Sequence, residues 1–441
     1  MKTYRIISHA LLYALIAIPL HSQTAHADSD TFDALYRDLS LDPSDGTISP
    51  RQSRQKPLQS KRDATRELFL SQRMVGRIEG AITHMRRIAS KGGWPVISRK
   101  GRRLRVGSSH REVAAIKKQL VISGDLSRRD VGIRTQFDDD LKQAILNYQK
   151  RHGLYQNGYV DPRTREMLSI PATKRLQQLR VNLNRLRDTI KRNENSKKYV
   201  VVNVPDFSMQ AVDNNRIDIA SRVIVGRQDR ETPTLSVEIR GVNFNPYWHV
   251  PQSLVDADLI PQQRKTRDYL QTQNIRAFKS WGGQEVPLRQ INWSAPIANQ
   301  LKYRQEPGPF NALGSVRIHM PNPDIIYLHD TPLKRLFGQS YRAYSAGCIR
   351  VQRVEDLARW ILKDHPEWPI SRINKTFETR ERVDAMIANP IPVHLIYLTS
   401  WVSKNGQIQY RYDIYKRDGQ RGTLPDGQRL AQRQSLRALS P

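Results

Sequence analysis

One cysteine, Cys348, is all that the 441 residues contain. A lone thiol excludes an intrachain disulfide framework. It also leaves any zinc site to scattered histidines, without the tight ligand spacing that thiolate zinc sites use. No metal and no cofactor are therefore expected. Acidic residues are scarce too: 42 Asp and Glu face 72 Lys and Arg, for a net charge of +30. Past the N-terminal segment no apolar run approaches the roughly 18 residues that a membrane span needs. The charge excess calls for a polyanionic neighbourhood. There is no zinc-finger spacing and no RNA-binding motif, so nucleic acid is not the expected partner. Anionic envelope polymers or lipid head groups remain, as does a solvated basic surface with no specific partner.

What is present begins with an export signal. Lys2 and Arg5 precede an apolar stretch from Ala10 to Leu20, and Ala25-His26-Ala27 fits a small-x-small cleavage site. Residues 1–27 read as a secretory signal peptide, with an uncleaved inner-membrane anchor as the alternative, and 28–60 as a polar linker. Export to the periplasm or cell envelope changes the meaning of Cys348. A free cysteine usually packs as a small hydrophobe. In an oxidising compartment an unpaired thiol is a liability, so a chemical use becomes the better reading.

The chain then divides by texture into a multidomain α+β protein. Residues 61–103 carry apolar residues at helical spacing, Met74, Ile78, Ile82 and Met85 among them. Residues 104–171 predict three helices, the first opening on a Ser cap. Residues 172–198 predict a long helix whose Leu176, Leu179, Leu183 and Leu186 suit an intramolecular connector better than a coiled coil. From 199 to 415 short β-rich runs dominate, interrupted at about 252–305 by polar, helix-compatible sequence. That insertion holds Tyr269, Arg276, Phe278 and Trp281, as a ligand grip or, the better reading for Phe278 and Trp281, a small core of its own. The 416–441 tail is basic and sparsely apolar, so mobility is expected after Arg417.

The chemistry gathers at Ser345-Ala346-Gly347-Cys348-Ile349-Arg350. A thiol attacks carbonyls as its thiolate, and a neighbouring imidazole accepts the proton. His329, in Tyr327-Leu328-His329-Asp330, is the best-placed base by spacing. Gly347 allows a sharp turn, and the amides of Gly347 and Cys348 form a candidate oxyanion hole. Helical spacing from Val354 puts Cys348 just before a helix N-terminus, which favours a low thiol pKa. Tyr327 shares a strand face with His329, as donor contact or packed aromatic. Asp330 points the opposite way, so a backbone carbonyl is left to orient the imidazole. His319 reads as structural.

These residues resemble the catalytic core of the L,D-transpeptidases, which remodel bacterial peptidoglycan. The pattern is a His, a spacer, then Ser-x-Gly-Cys-hydrophobic-Arg. Ala346 stands where many members have a second His. Upstream, Asn245 to Pro251, Pro307 to Gly314 and Met320-Pro321-Asn322 agree. The 104–171 unit resembles a small three-helix peptidoglycan-binding domain through Phe137, Tyr148-Gln149, Gly158 and Asp161. The resemblance implies a mainly β catalytic domain with a helical capping insertion. It implies Cys348, His329 and Gly347 as catalytic residues, with Tyr327, Arg350, Ser345 and Asn311 at the substrate. It implies peptidoglycan stem peptides and glycan as partners, a cysteinyl thioester, release of terminal D-alanine and 3–3 cross-links. Carbapenem-type inhibitors would acylate the thiol. A non-catalytic peptidoglycan-binding scaffold and an L,D-carboxypeptidase are the alternatives.

Overall fold

The computed structural model describes residues 67–419. The signal peptide and linker readings, and the tail beyond 419, lie outside the described residues. Among the described residues no helix is long and apolar enough to cross a membrane.

Helix α1 (Gln72–Ser90) starts at Ser71, whose hydroxyl accepts the Met74 amide. Helices α2 (Arg111–Ile122), α3 (Asp139–Arg151) and α4 (Pro162–Leu168) follow. They share one core in which Val113, Ile116, Phe137, Leu141 and Ile145 are fully buried. The cap of α2 is His110 rather than a serine, its Nδ1 accepting the Glu112 amide at 3.3 Å. Ser108 and Ser109 are held extended instead, by the Phe137 amide on the Ser108 carbonyl and by a bridge from Ser109 to Gln136. Helix α5 (Ala172–Arg192) lays Leu176, Leu179, Leu183 and Leu186 in one cluster with Met74, Ile78 and Ile82 of α1. Its apolar stripe is thus used within the chain.

A nine-stranded sheet forms the centre of the β-rich region. Its strands are β1 (Lys198–Asn203), β2 (Ser208–Asp213), β3 (Arg216–Gly226), β4 (Leu235–Phe244), β9 (Val316–His319), β10 (Leu328–His329), β11 (Ala343–Ser345), β12 (Ile349–Val351) and β13 (Val383–Ile396). The order is β11-β3-β12-β10-β9-β4-β13-β1-β2, and β2 also pairs with β3, so the sheet closes on itself. Strand β1 shows why the sequence there is an unbroken apolar run. Val200 and Val202 face the core shared with Ile318, Leu328 and Ile349. Tyr199 and Val201 face the cluster of α1 and α5. A strand buried on both faces has no polar side to alternate.

The insertion carries short helices such as Ile260–Lys265 and Tyr269–Thr272, and β structure that its composition did not announce. Strands β5 (Trp248–His249), β6 (Ile275–Phe278), β7 (Glu285–Val286) and β8 (Lys302–Gln305) form a separate sheet in the order β5-β8-β6-β7. Tyr269 and Phe278 are buried, whereas Trp281 is 48% exposed and stands edge-on to His249 at 4.5 Å. The small-core reading therefore fits Phe278 and fails for Trp281. Arg276 is taken by Glu285 and Glu306. The start of the tail is tied down as well: Asp418 accepts from Arg185 and Thr399, and Arg417 pairs with Glu231.

Candidate active site

Strand β10 lies between β9, antiparallel, and β12, parallel. Leu328 sits opposite Ile349 in the register, and both are fully buried. Side chains alternate along a strand, so Tyr327 and His329, with Cys348 and Arg350, take the other face. His329 is flanked across the sheet by Arg317 on β9 and Arg350 on β12. Cys348 lies beside Tyr327, where the Ile349 amide donates to the Tyr327 carbonyl at 3.0 Å. The Tyr327 and His329 rings meet edge-on with centres 5.6 Å apart. A thiol and an imidazole 19 residues apart in sequence are thus brought to one face by adjacent strands.

The turn that presents Cys348 is built from its own neighbours. The Ser345 hydroxyl donates to the Cys348 carbonyl at 2.5 Å and accepts the Gly347 amide at 3.2 Å. Gly347 has φ +118°, a region that side chains resist, and a Cβ there would lie 3.3 Å from Ile326 Cδ1. Ser345 is therefore spent inside the turn and does not face substrate. The Gly347 amide is spent too, which leaves the Cys348 amide as the oxyanion donor of that pair. Asn311 also departs from its expected place at the substrate. It is buried, donates to the carbonyls of Pro246 and Glu306, and accepts the Leu313 amide. It shapes its own loop.

Electrostatics reverse the expectation of an acidic thiol. Burial pushes the Cys348 thiol up to about 11, against the opposing pull of Tyr327, Arg350 and Arg317. Burial and the Arg350 guanidinium hold His329 down to about 3, against the carbonyls of Asp330 and Ala312 and the Asp330 charge. No helix dipole reaches the sulfur in the manner expected, because β12 separates Cys348 from helix α6 (Val354–Ile361). Both shifts favour the neutral form of each group, a thiol and an imidazole. His329 is 5% exposed, and its Nδ1 is buried without a hydrogen-bond partner. An unsatisfied buried acceptor is costly, and a proton from the thiol would satisfy it.

A titration follows from these shifts. With a thiol near 11, about one molecule in 10^4 is thiolate at pH 7. Iodoacetamide alkylation of the free protein should be slow at neutral pH and should climb past about pH 9. Thiolate absorbance at low pH would contradict the neutral pair.

The other predicted residues fall as follows. Asp330 points away from the site, accepting the amide and hydroxyl of Ser315 and pairing with Lys334. Gly314 makes room for it, since a Cβ there would lie 2.3 Å from Asp330 Oδ2. His319 is half-buried opposite Gly241, with its pKa lowered by burial and Arg317. Tyr327 is half-buried; burial and Cys348 raise its hydroxyl pKa against the opposing pull of Arg317 and Trp248.

Three groups at the site were not read from the sequence. Arg317 lies over the Tyr327 ring at 5.6 Å and donates to Asn243; its signal was a cation between Val316 and Ile318. Thr232 donates to the Gly347 carbonyl at 2.7 Å and accepts the Gly226 amide, a contact 115 residues apart that no local pattern announces. Ile325 accepts the Cys348 thiol on its carbonyl at 3.7 Å while holding φ +56°. A β-branched residue there is strained. Asn322 enforces the bend by bonding both the amide and the carbonyl of Ile326. Ile325→Gly should therefore raise stability by about 1 kcal/mol, read as a higher melting temperature. Acylation of Cys348 should slow, because the carbonyl that parks the thiol is loosened.

Comparison with known proteins bears on this geometry. Residues 197–376, which contain Arg317, His329, Cys348 and Arg350, match the YkuD family, described as the L,D-transpeptidase catalytic domain. Residues 197–376 are therefore similar to an L,D-transpeptidase catalytic domain. Residues 109–168, which hold α2 to α4, match a family described as "Putative peptidoglycan binding domain". A Haemophilus influenzae protein named "Putative L,D-transpeptidase" is 35% identical over 222 residues. That alignment covers 50% of this chain and 45% of the relative, so the chain matches about half of that protein's length. Among solved structures, an L,D-transpeptidase from Mycobacterium smegmatis is 12% identical, covering 45% of this chain and 58% of its own, with a TM-score of 0.23. One from Xylanimonas cellulosilytica is 16% identical, covering 67% and 98%, with a TM-score of 0.19.

Proposed function

We propose that this protein is a cysteine-dependent L,D-transpeptidase of the cell envelope, forming 3–3 cross-links in peptidoglycan. The observation that carries the reading is that adjacent strands bring Cys348 and the buried, unpartnered Nδ1 of His329 to one face, within residues that match the L,D-transpeptidase catalytic domain family.

The reaction has two halves. Sγ of Cys348 bonds to the carbonyl carbon of the third stem residue as its proton passes to Nδ1 of His329. The oxyanion takes the Cys348 amide. The carbon–nitrogen bond to D-alanine then breaks, and the imidazolium returns its proton to the leaving amine. A low imidazole pKa suits this second transfer, because the imidazolium beside Arg350 is a strong acid. The product is a thioester on Cys348. The side-chain amine of another stem peptide attacks it, and the thiol is restored. Arg317 and Arg350 flank the base and offer positive charge to a donor carboxylate, and Tyr327 holds the sulfur from the other side. Carbapenem-type β-lactams would acylate the same thiol.

Purified protein incubated with tetrapeptide-rich muropeptides tests the reading. Mass spectrometry should show 3–3 dimers and free D-alanine. Tripeptide monomers alone would mean that water is the acceptor and the activity is that of an L,D-carboxypeptidase. Binding with no turnover would leave a scaffold.

A further inference from the structure

A cleft of about 760 Å³ lies where the three-helix unit, α5, the 411–419 segment and Tyr341 come together. That volume is ordinary for a ligand site. Its acids are spent inward. Glu166 accepts the Tyr412 hydroxyl, Asp413 accepts the Tyr397 hydroxyl, and Asp418 pairs with Arg185. Two of its cations are spent as well: Arg411 pairs with Asp206, and Arg175 is buried on the Met167 carbonyl and Gln178. Four others, Arg99, Arg163, Lys174 and Lys416, are exposed, and none of them forms an ion pair among the described residues. Their contacts are neutral: Arg99 on Ser169, Lys174 on Gln177, and Arg163 5.5 Å from the centre of the Tyr341 ring. The rest of the lining sets the apolar and aromatic side chains of Met167, Ile170, Ile414, Tyr341 and Tyr412 beside Gln177, Gln178 and Gln228.

Four cations with no ion pair among the described residues, set among apolar and aromatic side chains, select an anion with an organic backbone. A bare polyphosphate would leave the apolar side chains unused, and a neutral glycan would leave the cations unused. The cleft also touches the segments that shape the Cys348 turn. Tyr341 leads into β11, which pairs with β3, and Ser345 ends β11. Gln228, in the lining, lies in the same loop as Thr232, whose hydroxyl holds the Gly347 carbonyl.

We propose that this cleft binds a short peptide bearing several carboxylates, a stem peptide of the wall polymer, outside the catalytic face. The identity of the peptide rests on the transpeptidase reading; the charge and shape of the cleft do not. A bound peptide would tether the polymer and press on the two segments that frame the nucleophile turn.

The test uses a soluble tetrapeptide carrying a photoreactive diazirine, with free carboxylates, and its carboxamide counterpart. The protein is the full chain with Cys348→Ala, so that nothing turns over. Cross-links mapped by mass spectrometry should fall on the 163–178 and 411–419 segments. The carboxamide probe should lose them, and R163E/K174E/K416E should reduce them at least about tenfold. Circular dichroism and carbapenem acylation of the same triple variant carrying Cys348 should be unchanged, which shows an intact fold and catalytic face. Cross-links confined to the catalytic face, or cleft cross-links indifferent to charge reversal, would overturn the proposal. Stronger competition by polyphosphate than by the peptide would overturn the ligand class. Cleft binding without any acylation of wild type would leave this inference standing and sink the transpeptidase reading.

Discussion

Cys348→Ala is expected to abolish cross-linking, D-alanine release and carbapenem acylation, a loss of about 10^4-fold or more. No other residue can substitute, because the sequence has no second thiol and the serine of the same turn, Ser345, is committed to the Cys348 carbonyl and the Gly347 amide. Folding should survive. The sulfur is half-buried at the edge of the core, so removing it costs about 1 kcal/mol. Retained binding to sacculi with lost turnover is the expected pattern. Residual turnover near the wild-type rate would place the nucleophile elsewhere.

His329→Gln is expected to lower the acylation rate by about 10^2- to 10^4-fold and to change its pH dependence. In wild type the reactive form is the neutral pair. The imidazole gains its proton only near pH 3 and the thiol loses its own only near 11. The rate of acylation should therefore be flat between about pH 5 and 9. Without the imidazole the thiol must ionise unaided, so the variant's rate should rise about tenfold per pH unit toward 11. Stability gives an independent readout. His329 Nδ1 is buried without a partner, so the melting temperature should hold or rise. A wild-type profile that breaks at a pKa between about 5 and 9 would contradict the neutral pair.

The parts of this site that the sequence made legible are those held by short-range rules. Alternation along Tyr327-Leu328-His329-Asp330 sorted His329 from Asp330 before any fold was known, and helical spacing found α1 to α5. The insertion's strands were harder, because Ile275 to Phe278 offers a single alternation, its partner β7 is two residues long, and its other partner β8 is remote. What failed depended on contacts distant in sequence. Gly347 was offered as an oxyanion donor because nothing local shows its amide bonded to Ser345. Asn311 lies in a motif-like segment, yet its amide is used by Pro246 and Glu306. The thiol was expected to be acidic from the helix that follows, but three residues of β12 intervene and burial dominates. Thr232, Arg317 and Ile325 enter the site through tertiary contacts alone.

The most direct test of the account is a rapid-quench experiment with a tetrapeptide stem and no acceptor amine, read by intact-protein mass and peptide mapping. The account predicts one adduct, equal to the stem less its terminal D-alanine, on the peptide holding Cys348, removable by hydroxylamine. Turnover without any such adduct, or the same adduct on Cys348→Ala protein, would contradict it.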